Sequence, residues 1–449
     1  MTCISDKFTI VLFLVIGILW IMMVCFTLSY WLINKQVPMR KDVDIYFLTV
    51  VLMGLNLMQQ AVWFSIYLIY PFAYKKAINH QHTLIQNKKF GNQCPLVSIV
   101  IAARNEESVI RKTLHNCLQQ RYENIEVIVV CHNCSDATYY ETQVNDKRVK
   151  ALDLRTVESG KGIALNYGLE YANGKYIIVL DADGKLSEGF IENILPFFEE
   201  GYAAVQGKIM ASNQGYNLIT NLLSLEGELF SLPYMTVKSF LDKRVPLGGT
   251  GFVIRKDLLI KEGKFSNGLI EDFELTFKLF RKGHRTAFAP LSVVYDEKPP
   301  EFRILFKQRS RWVRGHINLL NQRIPEFTDI FGIIYWLSPI SMASSLLLIV
   351  IISYAIIHYM FSGFYPFTFA FMPIIIWVAT TVMAFSLQVY ILVVTHKRTR
   401  ELIRNIIHAA FLIPFSNYWY VCLIKAFFVK SWDNTKTRHG YEVSSFQNA

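Results

Sequence analysis

Charge is scarce in this chain. Lys, Arg, Asp and Glu make up only 18% of its 449 residues, against 52% that are hydrophobic. That balance excludes an ordinary soluble protein and suits a membrane protein carrying a soluble domain. Cysteine is thin as well. Cys3, Cys25 and Cys422 fall in or near apolar segments, and Cys94, Cys117, Cys131 and Cys134 fall in the middle of the chain, so no disulfide framework is expected. Cys131 and Cys134 form a CxxC, but no second pair follows, which argues against a zinc site. Low-complexity tracts and internal repeats are absent, which excludes a repeat architecture. Acidic residues number 35 against 46 Lys and Arg, leaving a formal charge of +11. Nucleic acid, an anionic lipid surface or an anionic substrate could each use that charge. Because the basic residues flank apolar segments, a lipid surface is the partner expected, and nucleic acid is not.

What is present in quantity is long hydrophobic runs, concentrated at residues 8–72 and 328–430. Phe8 to Ile33 reads as a first transmembrane helix, long enough to span and stay rather than be cleaved as a signal. Ile45 to Tyr70 reads as a second, closed by Pro71 and followed by a polar linker over residues 75–95. Residues 329–361, with a break near Pro339, and 367–394 read as two more. The basic loop HKRTRELIR is expected on the cytosolic side. Residues 406–429, interrupted by Pro414 and Asn417, read as a fifth span or a re-entrant pair of short helices. The expected boundaries are 1–75 for two membrane helices, 76–300 for a soluble domain, 301–328 for an interfacial helix, 329–430 for membrane or re-entrant helices, and 431–449 for a tail.

Between the apolar ends the pattern alternates. LVSIVIAARNEE, IEVIVVCHNCSDAT and YIIVLDADG are apolar runs that each end in a polar loop, with helical stretches such as Ser108 to Gln120 and KGIALNYGLEYA between them. This predicts a parallel sheet with helices on both faces. Ligands on such sheets bind at the carboxyl ends of the strands, where these loops gather.

Asp181 and Asp183 close YIIVLDADG. Their spacing puts both carboxylates on one side of an extended chain, suited to a hard cation and its phosphate oxygens; D-x-D-G is equally good turn chemistry. Ala103, Arg104 and Glu106 at the end of the first strand, and Asp136 after the second, face the place of a nucleotide, although Asp136 also suits a helix N-cap. Lys161 and Gly162 offer a cation and backbone N–H groups to a diphosphate. Glu271 and Asp272 open a helix, and Asp272 is the candidate to take a proton from an acceptor hydroxyl. Residues 216–240 read as one amphipathic helix interrupted near Pro233. In EFRILFKQRSRWVRGHINLL, Phe302, Phe306, Val313, Ile317 and Leu320 share one face, with Gln308, Arg311 and Trp312 roughly opposite. That face is expected in the membrane–water interface. Arg311 suits a leaving diphosphate and Trp312 a sugar ring.

Together these pieces resemble the membrane-integrated family 2 glycosyltransferases of GT-A fold, the group of cellulose, hyaluronan and poly-N-acetylglucosamine synthases. The motifs are Asp136, the DxD of Asp181 and Asp183, the Glu271–Asp272 pair, and QRSRW from Gln308 to Trp312, over residues 96–320. The resemblance implies a Rossmann-like α/β GT-A domain in the cytosol, inserted between plasma-membrane helices and bordered by amphipathic interfacial ones. It implies that Asp136 contacts UDP and that Asp181 and Asp183 hold UDP and a Mg²⁺ or Mn²⁺ ion. Asp272 with Glu271 would act as base, and Gln308, Arg311 and Trp312 would bind diphosphate and acceptor. The reaction implied is a single inverting displacement from a UDP-sugar, UDP-glucose or UDP-N-acetylglucosamine, repeated processively on a growing β-glycan that is secreted across the membrane, or else made once on a lipid acceptor; a homo-oligomer is compatible with either. The polar residues of the spans, Asn56, Gln59, Gln60, Ser344, Ser345 and Gln388, are candidates to line a glycan path. Two departures stand out. Cys131 and His132 occupy the place of a further Asp, so His132 is the expected contact to the base. The acceptor loop reads Leu247 to Gly251, so Gly249, Thr250 and Gly251 are the expected acceptor contacts.

Overall fold

A computed structural model describes residues 40–87, 94–321, 330–363, 371–395, 399–429 and 439–440. The first expected span, Phe8 to Ile33, lies outside the described residues. The chain divides into two compact units, one of residues 1–69 with 325–413, the other of residues 70–324 with 414–449.

The second unit is built on an eight-stranded sheet in the order β3-β2-β1-β4-β7-β6-β8-β5. Its strands are β1 (Val97–Ala103), β2 (Ile125–His132), β3 (Val149–Leu154), β4 (Tyr176–Asp181), β5 (Lys185–Leu186), β6 (Ala204–Ala211), β7 (Phe252–Arg255) and β8 (Thr286–Asp296). β1 to β4 run parallel as predicted, but β7 is antiparallel to both β4 and β6, and β5 is antiparallel to β8. The sheet is therefore mixed rather than all parallel. LGGTG turns the chain sharply into β7 and brings it back beside β4, a reversal that apolar patterning does not record.

The apolar runs are continuous because both faces of the sheet are covered. Alternate residues go to opposite sides. Ile99, Ile101, Val127, Val129, Ile178 and Leu180 join one core, with α2 (Ile110–Leu118) and α5 (Phe190–Ile194) over them. Val100, Ile128, Val130, Ile177 and Val179 join the other. α4 (Lys161–Tyr171), α8 (Lys256–Lys261) and α9 (Glu271–Arg281) cover that face with Leu165, Leu169, Leu259, Leu275 and Leu279. Each such side chain fully withdrawn from water contributes about 1.5–3 kcal/mol. The short α3 (Thr138–Glu141) follows the β2 loop.

Three local expectations change. α1 (Arg40–Gln86) runs through Pro71 and the stretch read as a polar linker. Gln81 explains why: it is buried, donates to Asn193 O at 2.9 Å and Ser292 Oγ at 3.1 Å, and accepts from Leu291 N. The polar residues of 75–86 thus dock a helix. Residues 216–240 form α6 (Leu218–Glu226) and α7 (Leu232–Leu241), separated by a π-helical turn at Gly227–Ser231. The π-helical turn runs directly into α7 two residues before Pro233, so the interruption falls close to where the proline predicted it. α10 (Phe302–Asn321) does not leave its apolar face to lipid alone. Phe306 and Val313 pack with Leu223, Leu305 and Cys422, the last from α14 (Tyr418–Ala426).

In the first unit, α1 and α11 (Ile330–Ser362) share a small core of Leu52, Met53 and Leu348. Asn56 donates to Ser344 at 2.9 Å and accepts from Ser345, and Ser341 donates to Gln59. These polar groups tie one helix to another. α12 (Phe371–Thr395) and α13 (Thr399–Phe415) follow. The stretch that suggested one span or two short helices is two helices, α13 and α14, broken at Ser416–Asn417. By length and apolarity, Val51–Gln86, Pro339–Ser362 and Arg400–Ala426 could cross a membrane.

Candidate active site

Asp181 is the last residue of β4, paired in register with Ala102 of β1. The antiparallel β7 brings loop 248–251 beside it. Thr250 is buried, and its Oγ1 accepts from Asp181 N at 3.0 Å. Gln206, also buried, donates to Thr250 O at 3.0 Å and accepts from Gly248 N at 2.8 Å. Gly251 joins β4 through Val179 O at 2.8 Å. Thr250 and Gly251 therefore fasten the loop to the sheet rather than face an acceptor, because their polar groups are used by β4 and β6. Gly249 does face the site. Its φ is +76°, and a Cβ there would come within 3.1 Å of Asp272 Oδ2.

Lys161 connects the two carboxylate pairs. Its Nζ donates to Asp181 Oδ1 at 2.6 Å and Gly249 O at 2.8 Å, and lies 3.5 Å from Glu271 Oε1. Burial disfavours the charge, but Asp181, Glu271 and Asp272 outweigh it and raise the pKa of Lys161. This lysine, expected on a diphosphate, is occupied in neutralising carboxylates. Its neighbour Gly162 packs where a Cβ would stand 1.9 Å from Ser266 O, so close backbone approach accounts for that glycine.

Asp272 lies in the first turn of α9, which begins at Glu271. Burial, and then the adjacent Glu271 charge, push its pKa up to about 7, against the pull of Lys161 and Arg311. A carboxylate poised near neutrality suits general-base work. Arg311 donates to Leu269 O at 2.5 Å, just before α9. Burial lowers its pKa, while Glu271, Asp272 and Asp181 oppose that shift. Asp181, Lys161, Glu271, Asp272 and Arg311 thus form one electrostatic cluster drawn from β4, α4, α9 and α10.

A second cluster adjoins it. Asp183 Oδ2 accepts from Glu297 N at 3.1 Å and lies 3.2 Å from His439 Nδ1. Burial opposes the Asp183 charge, yet His439 and the Glu297 N–H hold its pKa down at about 2. Burial pushes Glu106 up to about 8, helped by Asp183, Asp181 and Glu297 and opposed by His439. Oε2 of Glu106 is buried with no hydrogen-bond partner. Carboxylates crowded this way, one with an orphaned oxygen, suit a divalent cation. Among the described residues no group of three or more His, Cys, Asp or Glu side chains is arranged to hold a metal ion. A site sharing its ion with donor phosphates needs only one or two protein carboxylates.

Other expected contacts are placed differently. His132 is buried and bonded to Thr156 Oγ1 at 2.7 Å. Its ring is therefore withdrawn from any base, and it braces the strand-end loop. Ala103 is buried, with its carbonyl accepting from the Cys134 thiol at 3.5 Å, so no side chain there meets a ligand. Asp136 accepts from Thr138 N at 3.0 Å, capping the turn after β2. Arg104 follows β1 and Gln308 lies on α10, both half-buried.

Trp312 stands beside a group that sequence reasoning passed over. The Arg309 guanidinium lies 4.0 Å from the Trp312 ring centroid and 5.2 Å from that of Trp419, and 3.7 Å from Glu226 Oε2. Glu226 also accepts from Tyr418 OH at 3.1 Å and Trp419 Nε1 at 2.8 Å. Arg309, Glu226, Glu297 and His439 are the residues the reading missed. Apart from Trp312, three residues from Arg309, their partners are distant in sequence, and only the DEK at the end of β8 offered a local hint.

Residues 95–315 match the family described as "Glycosyltransferase like family 2". A probable glycosyltransferase, YdaM of Bacillus subtilis (strain 168), is 28% identical over 280 residues, 59% of this chain and 66% of that protein. The poly-beta-1,6-N-acetyl-D-glucosamine synthase of Staphylococcus aureus (strain COL) is 27% identical over 230 residues, 49% of this chain and 54% of that one. The chain thus matches between about half and two thirds of these relatives' lengths. Among solved structures, the mannosyltransferase PcManGT from Pyrobaculum calidifontis, in complex with GDP-Man and Mn²⁺, superposes with a TM-score of 0.50 at 16% identity. It covers 85% of this chain and 99% of that one; at that identity the likeness speaks for the GT-A-like fold.

Proposed function

Because residues 95–315 form a glycosyltransferase family 2 domain, we propose that the protein is a membrane-embedded synthase that extends a β-linked glycan from a UDP-sugar. The observation that supports this reading is the cluster of Asp181, Lys161, Asp272 and Arg311, side chains suited to a donor carboxylate, a base and a diphosphate-binding cation. UDP-N-acetylglucosamine is the leading donor, supported by the Staphylococcus relative, with UDP-glucose next. The apolar helices support a membrane location, and the basic loop HKRTRELIR supports the cytosolic side for the domain.

In this reading Asp272 takes the proton of the acceptor hydroxyl as that oxygen attacks the anomeric carbon, inverting it. Arg311 stabilises charge growing on the departing diphosphate, in a site where buried dipoles act more strongly than in water. Trp312 offers an apolar face to the acceptor sugar. Asp181 and Asp183 would hold Mg²⁺ or Mn²⁺, which supplies neutralisation of the leaving group when bound; the Mn²⁺ of the PcManGT complex favours the latter. Burial raises the pKa of Asp181, and Lys161 opposes that rise while bridging Asp181 to Glu271.

The test is to incubate the purified chain with a panel of UDP-sugars and Mn²⁺ or Mg²⁺, following UDP release and product size. Release with UDP-N-acetylglucosamine and a polymeric product is expected. A product of one sugar on a lipid would replace the synthase reading with that of a glycolipid transferase.

A further inference from the structure

Arg309 is a buried charge, 9% exposed, that the proposed reaction does not use. Trp312 follows it by one helical turn, on the same side of α10. The guanidinium lies 4.0 Å from the Trp312 ring centroid and 5.2 Å from that of Trp419, so it stands between an indole of α10 and an indole of α14. Glu226 Oε2 of α6 stands 3.7 Å from it. Glu226 fixes the second indole too. It accepts from Trp419 Nε1 at 2.8 Å and from Tyr418 OH at 3.1 Å, and the Tyr418 ring stacks on that of Trp419 with centroids 5.2 Å apart. Arg309 Nε is buried with no hydrogen-bond partner. Stacking and the Glu226 charge thus place the guanidinium where a bond from Nε does not.

Burying a charged pair costs free energy that apolar side chains of similar size would not. Packing α10 on its neighbours has apolar contacts of its own, with Leu305, Phe306 and Val313 against Leu223 and Cys422. What the arginine adds is orientation. A guanidinium stacked on an indole occupies one face of it and limits how far the ring can turn. We infer that Arg309 is a positioning residue for the acceptor: held by Glu226 and Trp419, it covers one face of Trp312 and leaves the opposite face to the acceptor sugar. The inference rests on the reading of Trp312 as the acceptor platform. It adds that α6 and α14 set the plane of that platform through Arg309. A sugar ring lies flat on an indole, so a fixed indole fixes the plane of the sugar and which hydroxyl it offers to the base.

The test uses the full chain in detergent, with UDP-N-acetylglucosamine as donor and a β-linked N-acetylglucosamine oligosaccharide as acceptor. Arg309→Met keeps an unbranched apolar stem and removes the charged plane. It is expected to raise the KM for the oligosaccharide about fivefold or more, with little change in the KM for the UDP-sugar or in thermal unfolding. Arg309→Lys keeps the charge without the planar fork and is expected to raise the acceptor KM as well. Loss of helix packing alone would move both KM values and the unfolding temperature together, and that result overturns the inference. A cycle with Trp312→Ala is the sharper measurement. Once the indole is gone, Arg309→Met is expected to change the acceptor KM no further. Additive effects overturn the inference, as does a wild-type acceptor KM in Arg309→Met or in Arg309→Lys. If Arg309→Met does not fold, Glu226→Gln is carried through the same cycle with the same expectations. Two outcomes separate the levels of argument. If Trp312→Ala raises the acceptor KM and Arg309→Met does not, the platform stands and Arg309 does not position it. If the oligosaccharide does not stimulate the wild type, or if Trp312→Ala leaves its KM unchanged, the acceptor reading falls and this inference falls with it.

Discussion

Asp272 carries the sharpest expectation for a single residue. Its carboxyl titrates near 7 because it is buried beside Glu271. A base must be deprotonated to act, so turnover should rise with pH through about 7 and fall away below it, whereas a carboxylate at its ordinary value would give a flat profile over that range. Asp272→Asn should lower kcat by about 10²–10⁴-fold while leaving UDP affinity unchanged, as measured by UDP release and calorimetry; a kcat near wild type would remove Asp272 from the role of base. Gly249 gives an independent check on the same geometry. Alanine there must hold a left-handed backbone, costing about 1–2 kcal/mol, and its Cβ would press on Asp272 Oδ2. Gly249→Ala is therefore expected to lose activity more than stability, seen by comparing kcat with thermal unfolding. These residues were readable in sequence as acidic pairs and a glycine loop. What could not be read was that Thr250 and Gly251 of that loop belong to the sheet, since their partners Asp181, Gln206 and Val179 are set by the antiparallel β7.

At the scale of elements, the docking of α14 on α10 decides where Trp312 stands. Arg309 lies between the two tryptophans and is held by Glu226 of α6. Removing the carboxylate charge weakens the bonds Glu226 accepts from Tyr418 and Trp419, each about 1.5–3 kcal/mol when charge-assisted, and removes the ion-pair partner of the guanidinium. Glu226→Gln should raise the KM for an acceptor oligosaccharide several-fold with little change in that for the UDP-sugar. Equal changes in both would show that α10 had lost its general placement and not the aromatic face alone. The helical periodicity of α10 was plain from its apolar residues, but which neighbour covers that face was not. Phe306 and Val313 meet Cys422 across more than a hundred residues of chain, and an apolar stripe looks the same whether protein or lipid lies on it.

For the whole molecule, the three helical stretches that among the described residues are long and apolar enough to cross a membrane lead to a prediction about extraction. Alkaline carbonate or high salt should leave the protein in the membrane pellet, and detergent should release it; recovery in the salt wash would mean that charge, not apolar spans, holds it there. The polar ties between α1 and α11 add to this unit. Asn56→Leu should remove an interhelical bond of about 0.6 kcal/mol, measurable as a small fall in unfolding temperature in detergent.

By itself the sequence determined the α/β frame, the strand ends that carry Asp181 and Asp183, the acidic start of α9 and the apolar ends. Each of these is a local pattern: burial on both faces makes a strand apolar throughout, and a helix N-terminus tolerates acids. Only the tertiary structure decided that Lys161 bridges the carboxylates, that His132 and Thr250 are structural, and that His439 meets Asp183. Those outcomes depend on the reversal at β7 and on segments remote in sequence meeting in space. A contact between groups remote in sequence leaves no period or spacing in the residues that make it.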